Sequence, residues 1–257
     1  MMIRFIKLRI GYYLLTIIMI SACAGKPEPL EQLSLKNTVV GDTVLTNAID
    51  GTLSPDQILT TPHRVVLTGM VNHRLITIYK QGFEKRVTEY NSYENYDPWY
   101  SDHQQHYMPG IDLISGYNLL NVGHYNIATE ELNLLFTKPA LVKSIYYPSF
   151  VQDSLNEKPI NRNYYLISVY DEDTNRDSLI DNNDLRRFYQ YPDSGTQPIQ
   201  LIPSNYSVLR SQYDPGNDAM FIFARHDNNT NGRAEAKEPV HVFWIDLTKP
   251  AVAKRMY

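Results

Sequence analysis

The chain contains 257 residues with a formal net charge of −4, and 43% of its residues are hydrophobic. This length suffices for one large domain or two small ones, and the apolar content suffices for a buried core. The acidic balance argues against nucleic-acid binding, which usually requires a basic excess. A single cysteine excludes a disulfide framework and a cysteine-based zinc site. The 20 tyrosines favour a structure rich in β-sheet.

Residues 1–22 have the layout of a secretory signal. Three basic residues in the first nine positions precede an apolar run over residues 10–20. That run is shorter than the ~20 residues needed to span a bilayer. It ends in Ile-Ser-Ala before Cys23, which resembles the lipobox of bacterial lipoproteins. The open alternative is an ordinary cleaved signal, or a membrane anchor with an incidental cysteine.

The lipobox resemblance implies cleavage before Cys23, acylation of that cysteine and attachment to a membrane of the bacterial cell envelope. Ala24 resembles an outer-membrane sorting residue. Cleavage would remove three positive charges and no acid, so the net charge would change from −4 to −7. Residues 23–40 are polar with two prolines and form a predicted tether. Residues 41–257 form the predicted β-repeat domain.

Beyond about residue 40, short β-type runs bounded by turn residues replace any sustained helical periodicity. These runs predict strands at Arg64–Thr68, Leu75–Lys80, Tyr117–Tyr125, Leu132–Phe136, Tyr164–Tyr170, Arg187–Tyr191, Ala219–Ala224 and Val240–Leu247.

Residues 143–203 and 207–257 follow one plan. Each has a tyrosine-containing segment, a strand that ends in an acidic loop, an aromatic strand and a final strand. Residues 117–136 match the second half of this plan, and residues 74–90 match it more faintly. The layout resembles the TolB-like family of β-propeller repeats, which implies a propeller-like arrangement. The visible repeats make about four antiparallel β-units, fewer than that family has, so the predicted fold is an all-β, propeller-like array of about four units whose acidic loops are hairpin connections. A small closed propeller, an open array completed by self-association and a sandwich all remain open.

The acidic loops of the two repeats have the spacing of twelve-residue calcium loops. Such loops supply oxygen ligands at positions 1, 3, 5, 9 and 12 and a backbone carbonyl at position 7. The predicted ligands of loop 1 are Asp173, Asn175, Asp177, Asp181 and Asp184 with the carbonyl of Leu179. The predicted ligands of loop 2 are Asp227, Asn229, Asn231, Glu235 and Glu238 with the carbonyl of Arg233.

Both loops resemble EF-hand and dockerin-type calcium loops over all twelve positions, which implies Ca²⁺ as the cofactor. The segments that flank both loops are β-like rather than helical. Each loop is therefore predicted to be a hairpin connection that a bound metal ion stabilises. Position 6 takes a left-handed backbone that favours glycine. Gly232 meets this requirement and Ser178 does not, at a cost of about 1 kcal/mol. The open alternative is a solvated Asp/Asn-rich turn.

Catalytic motifs find little support in the sequence. The Tyr90–Tyr107 segment carries Trp99, His103 and His106, but its His-x-x-His pair lacks the helical context and glutamate of hydrolytic zinc motifs. Its aromatic rings could stack on a sugar or peptide, whereas the plainer interpretation is a loop that packs on itself. Neither a Gly-x-Ser-x-Gly elbow nor a phosphate-binding glycine loop occurs.

The sequence therefore predicts a calcium-binding, membrane-anchored envelope lipoprotein that acts as a non-enzymatic binding or structural module. Its predicted partners are the membrane, through Cys23, and a protein or glycan ligand, with self-association left open and no nucleic acid. The alternative is an envelope hydrolase that uses the Tyr90–Tyr107 segment.

Overall fold

The structure is a computed structural model that describes residues 33–34, 60–80, 105–115, 119–137, 140–177 and 179–257. Within these residues the regular elements are all β-strands, so the all-β prediction is confirmed. The strands are β1 (Leu33–Ser34), β2 (Thr60–Leu67), β3 (His73–Lys80), β4 (Gln105–Met108), β5 (Ile111–Ser115), β6 (Leu119–Asn126), β7 (Glu131–Leu134), β8 (Leu141–Pro148), β9 (Asp153–Leu155), β10 (Lys158–Ile160), β11 (Tyr164–Tyr170), β12 (Leu179–Ile180), β13 (Arg187–Pro192), β14 (Ile199–Gln200), β15 (Tyr206–Asp214), β16 (Ala219–His226), β17 (Val240–Asp246) and β18 (Lys254–Arg255).

Three antiparallel sheets form most of the fold. We name them the N-terminal sheet (order β2-β3-β6-β7), the central sheet (β14-β13-β11-β8-β5-β4) and the C-terminal sheet (β15-β16-β17-β18). Two small ribbons pair β9 with β10 and β1 with β12. Each of the eight runs predicted from the sequence overlaps a strand, and Tyr164–Tyr170 matches β11 at both ends.

The repeat predicted from the sequence corresponds to a four-stranded meander. Residues 143–203 contribute β8, β11, β13 and β14 to the central sheet, and residues 207–257 build the C-terminal sheet in the same strand order. Residues 117–136 form β6 and β7, the last two strands of the N-terminal meander, as the second half of the plan predicts. The hairpin β4–β5 leaves the N-terminal meander and extends the central sheet.

The central sheet is covered on both faces. One buried core joins it to the N-terminal sheet and includes Leu75, Tyr147 and Ile167. The second core joins it to the C-terminal sheet and includes Leu166 and Ile222. Because β11 lies between these layers, both of its faces are buried and its sequence is apolar almost throughout.

The arrangement of the sheets is a stack of three layers. No sheet closes on itself among the described residues, so the propeller-like ring remains a prediction. The described part of the chain contains no helix long and apolar enough to cross a membrane. The predicted signal at residues 1–22, Cys23 and most of the tether lie outside the described residues.

A buried ion pair joins the central and C-terminal sheets at one end of their interface. Arg162, just before β11, donates to both carboxylate oxygens of Asp218, just before β16, at 2.7 and 3.0 Å. Arg162 and the hydroxyl of Tyr164 also donate to the carbonyl of Leu247 at 2.8 and 2.7 Å. Both charged side chains are less than a tenth exposed.

Candidate metal site

The two acidic loops occupy equivalent hairpin connections at the opposite end of that interface. Loop 1 (residues 173–184) follows β11 and leads to its antiparallel partner β13. Loop 2 (residues 227–238) follows β16 and leads to its antiparallel partner β17. Since β11 and β16 both begin beside the Arg162–Asp218 pair, their far ends carry the two loops.

Loop 1 curls around its own side-chain oxygens. The backbone N–H of Asp177 donates to Asp173 Oδ1 at 3.1 Å and to Asn175 Oδ1 at 2.9 Å. The N–H of Leu179 donates to Asp177 Oδ1 at 3.0 Å. At position 12, Asp184 accepts the N–H of residue 174 at 2.8 Å on one carboxylate oxygen and that of residue 181 at 2.9 Å on the other.

Loop 2 repeats this network position by position. The N–H of Asn231 donates to Asp227 Oδ1 at 3.1 Å and to Asn229 Oδ1 at 3.0 Å. The N–H of Arg233 donates to Asn231 Oδ1 at 2.9 Å. At position 12, Glu238 accepts the N–H of residue 228 on one oxygen and that of residue 235 on the other, both at 2.9 Å. The two loops therefore share one architecture despite their different sequences.

The backbone conformation also matches between the loops. Position 4 is left-handed in both, with φ of 60° at Arg176 and 56° at Thr230. Gly232, at position 6 of loop 2, has φ of 74°, which is the conformation for which glycine was expected there. The equivalent Ser178 lies outside the described residues.

Carboxylates in both loops are strongly buried. Asp181 and Asp184 are 0% and 1% exposed, and Asp227 and Glu238 are 6% and 7% exposed. Burial raises the pKa of Asp184, and the backbone N–H donors at its oxygens oppose that rise. Concentrating four such carboxylates in two adjacent loops is unfavourable without a positive charge, and a bound cation would remove this penalty.

The loops touch each other directly. The Thr174 hydroxyl of loop 1 donates to the carbonyl of Gly232 in loop 2 at 2.6 Å. A Cβ on Gly232 would lie 1.9 Å from the Thr174 carbonyl oxygen. The Gly232 N–H donates to Asp227 Oδ2 at 2.9 Å, and Arg233 approaches Asp177 at 3.6 Å. The fit of one loop therefore depends on the shape of the other.

The donor chemistry of each loop fits a hard cation, because every predicted ligand is an oxygen from a carboxylate, an amide or a backbone carbonyl. The described residues contain no group of three or more His, Cys, Asp or Glu side chains that could hold a metal ion. The four aspartates predicted as ligands in loop 1 and the three acids predicted in loop 2 therefore do not form such a group among the described residues, and calcium binding stays a prediction.

Loop 1 has one further contact that loop 2 lacks in the described residues. Its positions 7 and 8 form β12, which pairs antiparallel with β1 in the predicted tether, Leu33 opposite Ile180 and Ser34 opposite Leu179. Neither this pairing nor the Thr174–Gly232 contact is predicted by a pattern in the sequence. A threonine or glycine carries no sequence signal that identifies its partner in another repeat.

Only Gln105–Tyr107 of the Tyr90–Tyr107 segment is described, so Trp99 and His103 lie outside the described residues. His106 lies between two carboxylates, with Nδ1 3.3 Å from Asp112 Oδ1 and Nε2 3.4 Å from Asp153 Oδ2. Asp153 also accepts the N–H of Gly110 at 2.8 Å. This geometry makes His106 a link between the β4–β5 and β9–β10 hairpins.

No protein-family model matches the chain, and no curated protein matches its sequence. The likeness to TolB-like repeats and to EF-hand or dockerin loops therefore stays a resemblance of layout and spacing.

Proposed function

We propose that this chain is a lipid-anchored protein of the bacterial cell envelope. Two bound calcium ions stabilise its all-β domain. The domain acts as a non-enzymatic binding or structural module. The observation that carries the proposal is the set of bonds from backbone N–H groups to side-chain oxygens that the two loops share, from position 1 to position 12. Two unrelated solvated turns would have no physical reason to share it.

The role of calcium in this proposal follows from where the loops lie. The Arg162–Asp218 pair joins the central and C-terminal sheets at one end, and the mutually packed loops join them at the other. Calcium would neutralise the carboxylates of each loop and order its backbone. The loop ends of β11 and β16 would then stay together without a disulfide, which a chain with one cysteine cannot form internally.

Direct calcium binding tests the proposal. Titration calorimetry of the purified full-length chain should give two calcium ions per chain. Asp173→Ala and Asp227→Ala each remove the position-1 oxygen of one loop and should each remove one site. Glu172→Gln is a matched control, because Glu172 precedes loop 1, is exposed and is not a predicted ligand. A chain that takes up no calcium would refute the proposal.

The envelope assignment has a separate test. Mass spectrometry of the mature protein from a bacterial host should show acyl chains on Cys23 and the loss of residues 1–22. Several acyl chains, each contributing roughly 0.8 kcal/mol per buried methylene, hold a protein on a membrane. Cys23→Ala should release the protein from the membrane fraction. A wild-type protein with a free Cys23 thiol would refute lipid anchoring.

A further inference from the structure

Loop 2 contains the only asparagine–glycine pair of the sequence, Asn231–Gly232 at positions 5 and 6. Asparagine is chemically labile in proteins, and it is most labile before glycine, because no side chain hinders attack by the next backbone nitrogen. The architecture of the loop nevertheless requires both residues. Position 5 needs a side-chain oxygen. Position 6 needs a glycine, since a Cβ there would lie 1.9 Å from the Thr174 carbonyl oxygen.

Loop 1 avoids this combination of residues. Its positions 5 and 6 are Asp177 and Ser178, so aspartate, which is one product of asparagine deamidation, already lies at position 5. Position 3 is asparagine in both loops. The acidic ligand positions are 1, 5, 9 and 12 in loop 1 and 1, 9 and 12 in loop 2. Conversion of Asn231 to aspartate would therefore give loop 2 the same pattern of acids as loop 1.

Hydrogen bonds hold both reacting groups of the Asn231–Gly232 pair. Gly232 is buried, and its N–H donates to Asp227 Oδ2 at 2.9 Å. Asn231 is exposed to water, but Oδ1 accepts the N–H of Arg233 at 2.9 Å and Nδ2 donates to Glu235 Oε1 at 3.1 Å. The Gly232 nitrogen must give up its bond to Asp227 before it can attack, because its proton leaves in the reaction. The reaction therefore requires the loop to open.

We propose that Asn231 is a deamidation site whose reaction the closed hydrogen-bond network of loop 2 slows. When the loop opens, the Gly232 nitrogen attacks Asn231 Cγ. The new N–Cγ bond closes a five-membered succinimide ring, and Nδ2 leaves as ammonia with the proton from the Gly232 nitrogen. A water molecule then hydrolyses the ring. Opening the ring at Cγ leaves aspartate, and opening it at the backbone carbonyl carbon leaves isoaspartate, with no oxidation or reduction.

The two products have opposite effects on loop 2. Aspartate at position 5 adds a carboxylate, and the charge of the ligands strengthens calcium binding in loops of this kind. Isoaspartate lengthens the backbone between residues 231 and 232 by a methylene group. That change displaces Gly232 from the Thr174 hydroxyl that donates to its carbonyl. These effects on calcium rest on the proposed function, whereas the protection of Asn231 rests on the hydrogen bonds alone.

Ageing of the purified full-length chain at neutral pH in calcium, in chelator and in urea tests the proposal. Peptide mass spectrometry measures the loss of the Asn231 amide. Deamidation should be at least tenfold slower in calcium than in urea, and Asn229, which precedes threonine, is the internal reference for each sample. Equal rates in calcium and urea would overturn the proposal. Protection in calcium but not in chelator supports both proposals, whereas equal protection in calcium and chelator supports this proposal and counts against bound calcium.

Variants then identify the protecting contact. Asp227→Ala frees the Gly232 N–H and should accelerate deamidation of Asn231 at least fivefold in the folded protein. Asp214→Ala is the matched control, because Asp214 Oδ1 accepts the N–H of Gly216 at 2.9 Å in the turn between β15 and β16. That variant should leave the rate at Asn231 unchanged. Melting curves establish which variants fold, and the comparison of calcium with urea decides if Asp227→Ala does not. A folded Asp227→Ala that deamidates as slowly as the wild type would overturn the proposal.

Discussion

The interface between the central and C-terminal sheets is held in two different ways at its two ends. At one end, Arg162 and Asp218 form a buried, bidentate ion pair. At the other, the two acidic loops meet through Thr174 and Gly232. The first end carries its own countercharge. The second end concentrates carboxylates, and in our account it takes its positive charge from calcium.

Two stacked sheets can therefore be joined by a permanent contact at one end of their interface and by a contact that depends on a bound cation at the other end. A buried Arg–Asp pair holds whatever the surrounding ion concentrations. An oxygen-lined loop orders only when its cation is present. The molecule should therefore lose the loop end of the interface without calcium while it keeps the Arg162–Asp218 end.

We expect the largest loss of stability from a substitution at the Arg162–Asp218 end of the interface. Asp218→Asn leaves the Arg162 charge buried without its partner, and breaking a buried pair in this way costs about 3–5 kcal/mol. The cost should be the same in calcium and in chelator, as measured by urea unfolding. Glu172→Gln, which removes the exposed partner of Arg187, should change stability far less. A cost for Asp218→Asn that vanished in chelator would contradict the contrast.

Gly232→Ala should have the next largest effect, and it should act on both loops. The new Cβ would lie 1.9 Å from the Thr174 carbonyl oxygen, and φ of 74° disfavours a side chain. We expect a loss of about 2–4 kcal/mol from overpacking and backbone strain, measured by unfolding in calcium. Gly216→Ala is the matched control, because its Cβ would meet only the Asp214 side chain, at 3.3 Å. Equal stability of the two variants would show that the loops do not depend on their contact.

Substitutions of the two position-12 carboxylates should have the third-largest effect on stability. Asp184→Asn and Glu238→Gln each replace one carboxylate oxygen by an amide donor that faces backbone N–H groups. Each should cost about 1–3 kcal/mol, and each should abolish calcium binding in its own loop. The measurement is the calcium dependence of unfolding for each variant. Retention of both calcium sites by either variant would remove position 12 from the ligand set.

The smallest effect is expected from Arg233→Ala. Its guanidinium lies 3.6 Å from Asp177, and both side chains are substantially exposed. Exposed pairs of this kind contribute roughly 0.2–1 kcal/mol, so overall stability should change little. Calcium affinity of loop 1 should rise slightly, because Asp177 loses a competing cation. A fall in that affinity, seen by calorimetry, would mean that Arg233 supports loop 1 rather than competing with calcium.

The sequence predicted eight of the strands and the placement of both loops, but the buried strands β5 and β8 were not among those eight. Short apolar runs bounded by turn residues identify β11 and β16, because burial imposes such a pattern locally. The spacing from Asp173 to Asp184, repeated from Asp227 to Glu238, predicted two hairpin connections of the same architecture. These features depend on residues that are close in the chain.

The features that the sequence did not predict depend on residues that are distant in the chain. Arg162 and Asp218 are 56 residues apart, and neither carries a local sign of its partner. The bulge at Leu209 in β15 follows from the register between two strands rather than from any motif. The propeller-like prediction concerned the closure of the whole array, and a three-layer stack satisfies the same repeat pattern.

Thermal unfolding of the full-length chain with millimolar calcium, with magnesium and with chelator tests the central claim most directly. Calcium at about 100 times its dissociation constant stabilises a folded protein by roughly 2.7 kcal/mol per site, and about 2–4 °C of melting temperature corresponds to each kcal/mol in a domain of this size. We predict that calcium raises the melting temperature by more than about 5 °C over chelator and that magnesium has a smaller effect. Identical melting temperatures in calcium and in chelator would contradict the account.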